Sequence, residues 1–186
     1  ADVRGLTLDS LHGHAEFKDI AVDYRGKSLR LDSINLVADR NGNDRRLSIQ
    51  SSLADADISG DYLFSSLVRD VQVLIREIGL NIRNDSRATA SYYAQKDYHA
   101  QSYEAEVKVQ VKDLQPVVHL LNVDLTITPQ TQVMGRFTSG YTTIFNCYTH
   151  IDSLSYKGML FVGNDVELTT SKIADSTAVL AMATIN

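Results

Sequence analysis

The chain has 186 residues, of which 44% are hydrophobic and 22% charged. That balance excludes a disordered chain and leaves enough apolar side chains for a sizeable core. The net charge of −5 argues against a nucleic-acid surface, which needs clustered Lys and Arg, and reads as solubility.

"GLTLDSLHGHAEFKDIAVDYRG" alternates apolar and polar residues with shifts of phase. Leu6 and Leu8 share one side; Ile20, Val22 and Tyr24 share another further on. Gly26 and Lys27 mark the first turn. In "SLRLDSINLVAD", Leu29 and Leu31 give way to Ile34 and Leu36 after one slipped residue. A one-residue slip exchanges the faces of a strand unless a bulge absorbs it, so a bulge is expected near Asp32. Asn41-Gly42 is a strong turn signal. Leu47 and Ile49 follow on one strand, then Ala54, Ala56 and Ile58 on the next.

The period changes at Tyr62. Leu67, Val71, Leu74 and Ile78 fall on one helical stripe, which predicts an amphipathic helix over 62–79. Asp61 fits its N-cap and Gly79 its C-cap. Its polar face is not dominantly basic, so packing on a sheet is expected rather than a membrane surface. Residues 81–101 show no clear period and read as loop with room for a short helix. "YEAEVKVQVKD" is the cleanest strand, with Val107, Val109 and Val111 on one side and Lys108 and Gln110 on the other. "LQPVVHLL" reads as a short helical turn near 114–121, with Pro116 early enough to be tolerated. From Asp124 onward only strands are expected, including one with Leu125 and Ile127. About twelve strands are expected in all.

A faint repeat runs through the chain. Tyr24-Arg25-Gly26 and Tyr156-Lys157-Gly158 are both followed by alternating strand, and "ADISGDY" echoes "TQVMGRF". Internal repetition in a strand-rich chain points to an extended, stacked architecture.

The sequence carries no motif for nucleophilic, phosphate-binding, dinucleotide or metallohydrolase chemistry, and no enzyme is expected. Cys147 is the single cysteine. His150, three residues on, falls on the opposite face of a strand, so the two do not form a catalytic pair. His12 and His14 share a face, but a metal needs a third ligand and none is signalled nearby. "DADISGD" lacks the spacing of a calcium loop. No metal and no cofactor are expected. Asn84-Asp85-Ser86 is a formal glycosylation sequon and nothing more specific. No run approaches the ~20 apolar residues of a membrane-spanning helix. "ADVRGLTLDS" and "AMATIN" read as cuts through continuing β-structure, so 1–186 is expected to be a single piece of a longer repetitive protein. Strands would occupy 1–62, the helix and an irregular segment 62–101, and strands again 102–186. Exposed strand edges at both cut ends would favour end-to-end self-association.

The stretch "LRLDSINLVADRNGNDRRLSIQSSLADADISGDYLFSSLVRDVQVLIREIG" resembles a recurring segment of the TamB/AsmA-like proteins of Gram-negative bacteria. The shared pattern is strand, polar turn, strand, alternating strand, then the step Ile58-Ser59-Gly60-Asp61-Tyr62 into a helix. "EAEVKVQVKDLQPVVHLLNVDLTITPQTQVMGRFTS" is similar, with a second such step from Val133 to Phe137. The resemblance covers most of residues 20–138, and the stretch 84–101 departs from it.

The resemblance implies a mainly β fold, an elongated antiparallel sheet curled into a U-shaped trough, apolar inside and polar outside. It also implies a periplasmic location in a parent protein anchored in the inner membrane, where membrane contact would come through parts outside this chain. The implied function is carriage of phospholipid or other acyl-chain lipid between the two membranes, or help in assembling outer-membrane proteins with an outer-membrane β-barrel partner. Leu29, Leu31, Ile34, Leu36, Leu47, Ile49, Val107, Val109, Val111, Leu125 and Ile127 are the expected groove-lining residues. The alternation alone would equally build a β-sandwich binding or adhesion module of the envelope. That alternative expects exposed aromatics, with Tyr92, Tyr93, Tyr98 and Tyr103 as a platform.

Overall fold

The computed structural model describes residues 2–4, 8–10, 12–83, 85–96 and 101–186, with only the backbone described for 2–4, 8 and 82. Leu6, the Leu8 side chain, Asn84 of the sequon and Tyr98 lie outside the described residues.

The first half of the chain is a meander. β1 (Asp2–Arg4), β2 (His12–Tyr24), β3 (Lys27–Asn41), β4 (Asp44–Ser51) and β5 (Ala54–Gly60) lie side by side in chain order. Two helices follow, α1 (Phe64–Arg83) and α2 (Ser86–Gln95), before β6 (Tyr103–Val111) returns to pair with β5. The helix α3 (Gln115–Leu121) and the short β7 (Leu125–Ile127) precede β8 (Gln132–Ser139), β9 (Thr142–Tyr156), β10 (Met159–Ile173) and β11 (Val179–Ile185). All pairings are antiparallel. The result is one open sheet of eleven strands with β1 and β11 at its two edges, not a barrel and not two facing sheets. Ten strands lie side by side and β7 pairs only with β9, so the sheet spans about 43 Å across its strands rather than the roughly 53 Å that the expected twelve would give.

The expected phase slip near Asp32 is present, but no one-sided bulge absorbs it. The pairs Lys18↔Ser33 and Ile20↔Leu31 keep one register on both sides of it. Both strands change phase together at Asp19 and Asp32, with Asp19 at φ 52. Ile20, Leu29, Leu31 and Ile34 therefore all reach one cluster despite their mixed parity. β9 and β10 repeat the device, since Val162↔Ser153 and Asn164↔Ile151 flank Gly163 at φ 64. This bend lets "MLFVG" and "NDVELTTSK" run on as the single strand β10.

The sequence repeat has a counterpart in the two hairpin tips. Arg25-Gly26 (φ 50 and 78) and Lys157-Gly158 (φ 49 and 77) both turn with two positive φ values, the type I′ geometry that suits strand twist. In each, the cation lies over the preceding tyrosine, at 5.2 Å for Arg25 and 5.3 Å for Lys157. Both long hairpins reach past the shorter β4, β5, β6 and β8. α3 and β7 fill the gap between them: α3 packs on β3, and β7 pairs with the end of β9.

The helix expected over 62–79 runs further, to Arg83, and Gly79 lies inside it rather than at its end. Its N-terminus is capped from a distance. The Asp9 carboxylate accepts from Ser65 N at 2.8 Å and from Ser65 Oγ at 2.5 Å. Asp61 instead accepts from Glu104 N at 2.7 Å, tying the helix entry to β6. The irregular stretch contains α2, which Asp85 caps through Arg87 N and Ala88 N. α3 matches its expected position, with Pro116 in the first turn and Asn122 in the left-handed conformation at its end.

α1 lies across the apolar face at one end of the strands. Phe64, Leu67 and Leu74 pack with Tyr62, Tyr103, Ala105 and Phe137, all buried, and with half-buried Leu47, Ile58 and Phe145. α3 covers the other end, where Leu120 packs on Leu29 and Leu31.

Candidate functional site: an apolar strip between two helices

Register fixes what lies between the helices. Ala15 pairs with Leu36, Leu36 with Ile49, Ile49 with Ala56, and Ala56 with Val109. From Val109 the line continues through Val133, Thr149 and Val166 to Ile185. Nine strands thus contribute one residue each to a row that crosses the sheet, interrupted by a single hydroxyl. Eight inter-strand steps make it about 38 Å long. Leu36, Ile49, Ala56, Val109, Val133 and Val166 are each half-buried and belong to neither helix-covered cluster. A second row, nearer α1, runs from Ala38 through Leu47, Ile58 and Val107 to Gly135, Cys147 and Leu168.

The expected groove residues divide into four groups. Leu36, Ile49, Val107 and Val109 are half-buried on this face, and Val111, on the same side of β6, is 8% exposed. Leu47 packs against the α1 cluster. Leu29 and Leu31, 8% and 7% exposed, are sealed under α3, with Ile34 half-buried beside them. These three belong to a closed core rather than to the open strip. Leu125 and Ile127 are half-buried on β7, beyond the strip, against Tyr156 and Leu154 of β9. The sequence missed Ala15, Val133 and Val166; their alternation was visible, but only register brings them into line with Val109.

The opposite face is polar and charge-paired. Lys108 stands between Asp57 and Met134, and Glu106 between Ser59 and Arg136. Arg136 reaches Glu106 at 2.8 Å, and Arg46 reaches Asp57 at 3.1 Å. Asp57 is held below the usual carboxylate range chiefly by the Ser48 hydroxyl, with help from Arg46 against the effect of burial. Two hollows open on this polar side. One, of about 690 Å³, lies among Asp39, Arg46, Ser59 and Glu104; the other, of about 290 Å³, lies among Glu106, Lys108, Arg136 and Tyr148. The first is lined by no residue of either apolar row, and the second also touches Val107, Gly135 and Cys147 of the second row.

The remaining candidates from the sequence do not form a reactive site. Cys147 belongs to the apolar face, and burial pushes its thiol up, away from the thiolate. His150 turns to the polar face, where it meets Asp165 at 2.7 Å and Asp152 at 3.4 Å. His12 lies 4.0 Å from Asp39, and among the described residues no cluster of three metal-ligating side chains includes it or His14. Among the described residues, the tyrosines expected as a platform do not form an exposed one: Tyr103 is 4% exposed in the α1 core, and Tyr92 and Tyr93 are half-buried on α2 with their rings 5.1 Å apart.

Compared with family models, curated proteins and solved structures, the chain matches none of them. Among the described residues, no helix is long and apolar enough to cross a membrane.

Proposed function

We propose that this chain is a section of a TamB/AsmA-like envelope protein that holds lipid acyl chains along its apolar face. The observation that carries the reading is the uncovered row from Ala15 to Ile185, apolar in eight of its nine positions and lying between α1 and α3. An enclosed core would bury such a row. Here its central members stay half-buried, with no further layer over them among the described residues. Each methylene that leaves water for such a surface gains about 0.8 kcal/mol. The strip offers no array of hydrogen-bonding groups, so a chain lying on it is held without fixed register and can slide. That suits transport better than capture. In the parent protein, the strip would extend a path between inner and outer membranes through the periplasm. An unfolded outer-membrane β-strand is the second occupant that the family resemblance implies, with an outer-membrane β-barrel as partner; the lack of an ordered polar lining favours the acyl chain.

The test is chemical. Protein purified from an envelope-containing host is extracted and the extract analysed by mass spectrometry. Phospholipid in stoichiometric amount, reduced in Val109→Asp and Val133→Asp variants of unchanged secondary structure, supports the reading. Lipid-free wild-type protein that also takes up no fatty acid in vitro would overturn it.

A further inference from the structure

The helix α1 carries Arg69, Arg76 and Arg83 against two acids, Asp70 and Glu77. The fold separates the two signs. Glu77, 0% exposed, is taken up by Lys96 and Lys172. Asp70, with its side chain 14% exposed, accepts from the Tyr103 hydroxyl at 2.9 Å and the Ser139 hydroxyl at 3.0 Å. All three arginines stay exposed. Every seventh residue returns to nearly the same side of a helix, so they stand in one column, about 10 Å apart. The outward face of α1 thus presents three cations and no exposed carboxylate, in a chain whose net charge is −5.

Contacts along α1 give its course. Asp70 meets Tyr103 and Ser139, at the outer ends of β6 and β8. Glu77 meets Lys172 of β10, and Asn81 Nδ2 donates to Thr177 O, just before β11, at 3.3 Å. The helix therefore crosses the strands in the same order as the apolar row and runs alongside it. Its Asp70 flank faces the strand ends. At about 100° per residue, Val68, Val71 and Ile75 fall on the other flank, toward Val107 and the strip. Val68 and Ile75 are 49% and 64% exposed there, and Val71 is half-buried. An apolar path and a column of cations thus run side by side for about 20 Å.

The arginines are set to receive an oxyanion. Arg76 lies 4.8 Å over the Tyr92 ring, which fixes the plane of its guanidinium and leaves the N–H edge for an acceptor. Arg69 engages Asp70 through Nε at 3.0 Å, which leaves its terminal nitrogens for another partner. Guanidinium groups take phosphate oxygens in pairs, so phosphate is the matching headgroup. On the opposite face the arginines are already paired: Arg46 with Asp57 at 3.1 Å, and Arg136 with Glu104 at 3.1 Å and Glu106 at 2.8 Å. Resting on the acyl-chain reading above, we infer that the lipid held here is one with an anionic phosphate headgroup. Its tails lie on the strip against Val68 and Ile75, and its phosphate passes along Arg69, Arg76 and Arg83.

Pyrene-labelled phosphatidylglycerol and pyrene-labelled diacylglycerol with the same chains, delivered from cyclodextrin, test this on the full 186-residue chain. Protein-bound fluorescence is read after gel filtration. Wild type should bind the phosphatidylglycerol about tenfold more tightly at low salt, the worth of one charge-assisted hydrogen bond, and the preference should shrink as salt screens it. The triple variant Arg69→Gln/Arg76→Gln/Arg83→Gln should bind both lipids alike, at the wild-type diacylglycerol level. Arg30→Gln, exposed on the opposite face, should change nothing. Equal binding of the two lipids by wild type would overturn the inference and leave the acyl-chain reading standing, whereas binding of neither would overturn both. A preference that survives in the triple variant, or that millimolar inorganic phosphate abolishes at constant ionic strength, would also overturn it, the latter by assigning the column to a free anion. The wild-type comparison decides the outcome should the triple variant fail to fold.

Discussion

Glu77 of α1 and Lys172 of β10 stand 3.7 Å apart, with side chains 0% and 4% exposed, at the point where the helix crosses the far strands of the sheet. Lys96, which follows α2, reaches the same carboxylate at 2.6 Å, and the Tyr92 hydroxyl donates to it at 3.1 Å. One buried carboxylate thus holds both helices to the sheet. Removing it leaves Lys172 charged in a dry site. Glu77→Ala is expected to cost about 3–5 kcal/mol, read from urea denaturation. The double variant Glu77→Gln/Lys172→Met should recover much of that loss. A double variant as unstable as Glu77→Ala alone would show that the pair is not what anchors the helices.

Alkaline pH should loosen the same region through its tyrosines. Burial, partly offset by Arg45, raises the Tyr62 hydroxyl to about 12. Burial also raises Tyr103, aided by its hydrogen bond to Asp70. A raised folded-state value means that the native protein keeps these protons where the unfolded chain loses them. The stabilisation is complete below about 10 and is lost as pH climbs toward 12. Lys172 acts oppositely: burial lowers it, despite the attraction of Glu77, so its contribution improves as pH rises toward the ordinary lysine value. Denaturant midpoints should fall steeply above pH 10, and Tyr62→Phe should flatten that fall. An identical decline in Tyr62→Phe would assign the effect elsewhere.

The stripe of α1 should behave as core on one side only. Leu67 and Leu74 are 7% and 6% exposed, whereas Ile75 is 64% exposed. Leu67→Asp and Leu74→Asp should each cost several kcal/mol by placing an unpaired charge in a dry site. Ile75→Asp should shift the melting temperature little. Equal shifts at positions 74 and 75 would mean that the helix does not rest on the sheet as described.

The period of two in β6 and the stripe of α1 were legible because each is a local pattern imposed by one buried face. α3 was legible from Pro116 and the apolar residues after it. α2 was not, because Ser86–Gln95 has no buried residue to impose a stripe; the N-cap Asp85 was its only local signal. Capping of α1 by Asp9 could not be read, since 56 residues separate donor and acceptor. The phase slip in β3 was visible in Leu31 and Ile34. Its resolution was not, because it depends on Asp19 of the partner strand changing phase at the same place. Likewise, the groove residues could be assigned a side but not a neighbour. That is why Leu29 and Leu31 read as lining while they lie beneath α3.

Lipid crosslinking at Val109 and Lys108 tests the central claim most directly. The two are adjacent on β6, and strand geometry points their side chains to opposite faces. Val109 sits in the middle of the apolar row, between Ala56 and Val133, and Lys108 sits among the charges of the polar face, between Asp57 and Met134. A photo-crosslinking residue is introduced at each position in the full-length parent protein, in cells. The account predicts that position 109 captures lipid and position 108 does not. Lipid at both positions alike, or at neither, would contradict it and leave Val109 as a residue that only awaits another layer of protein.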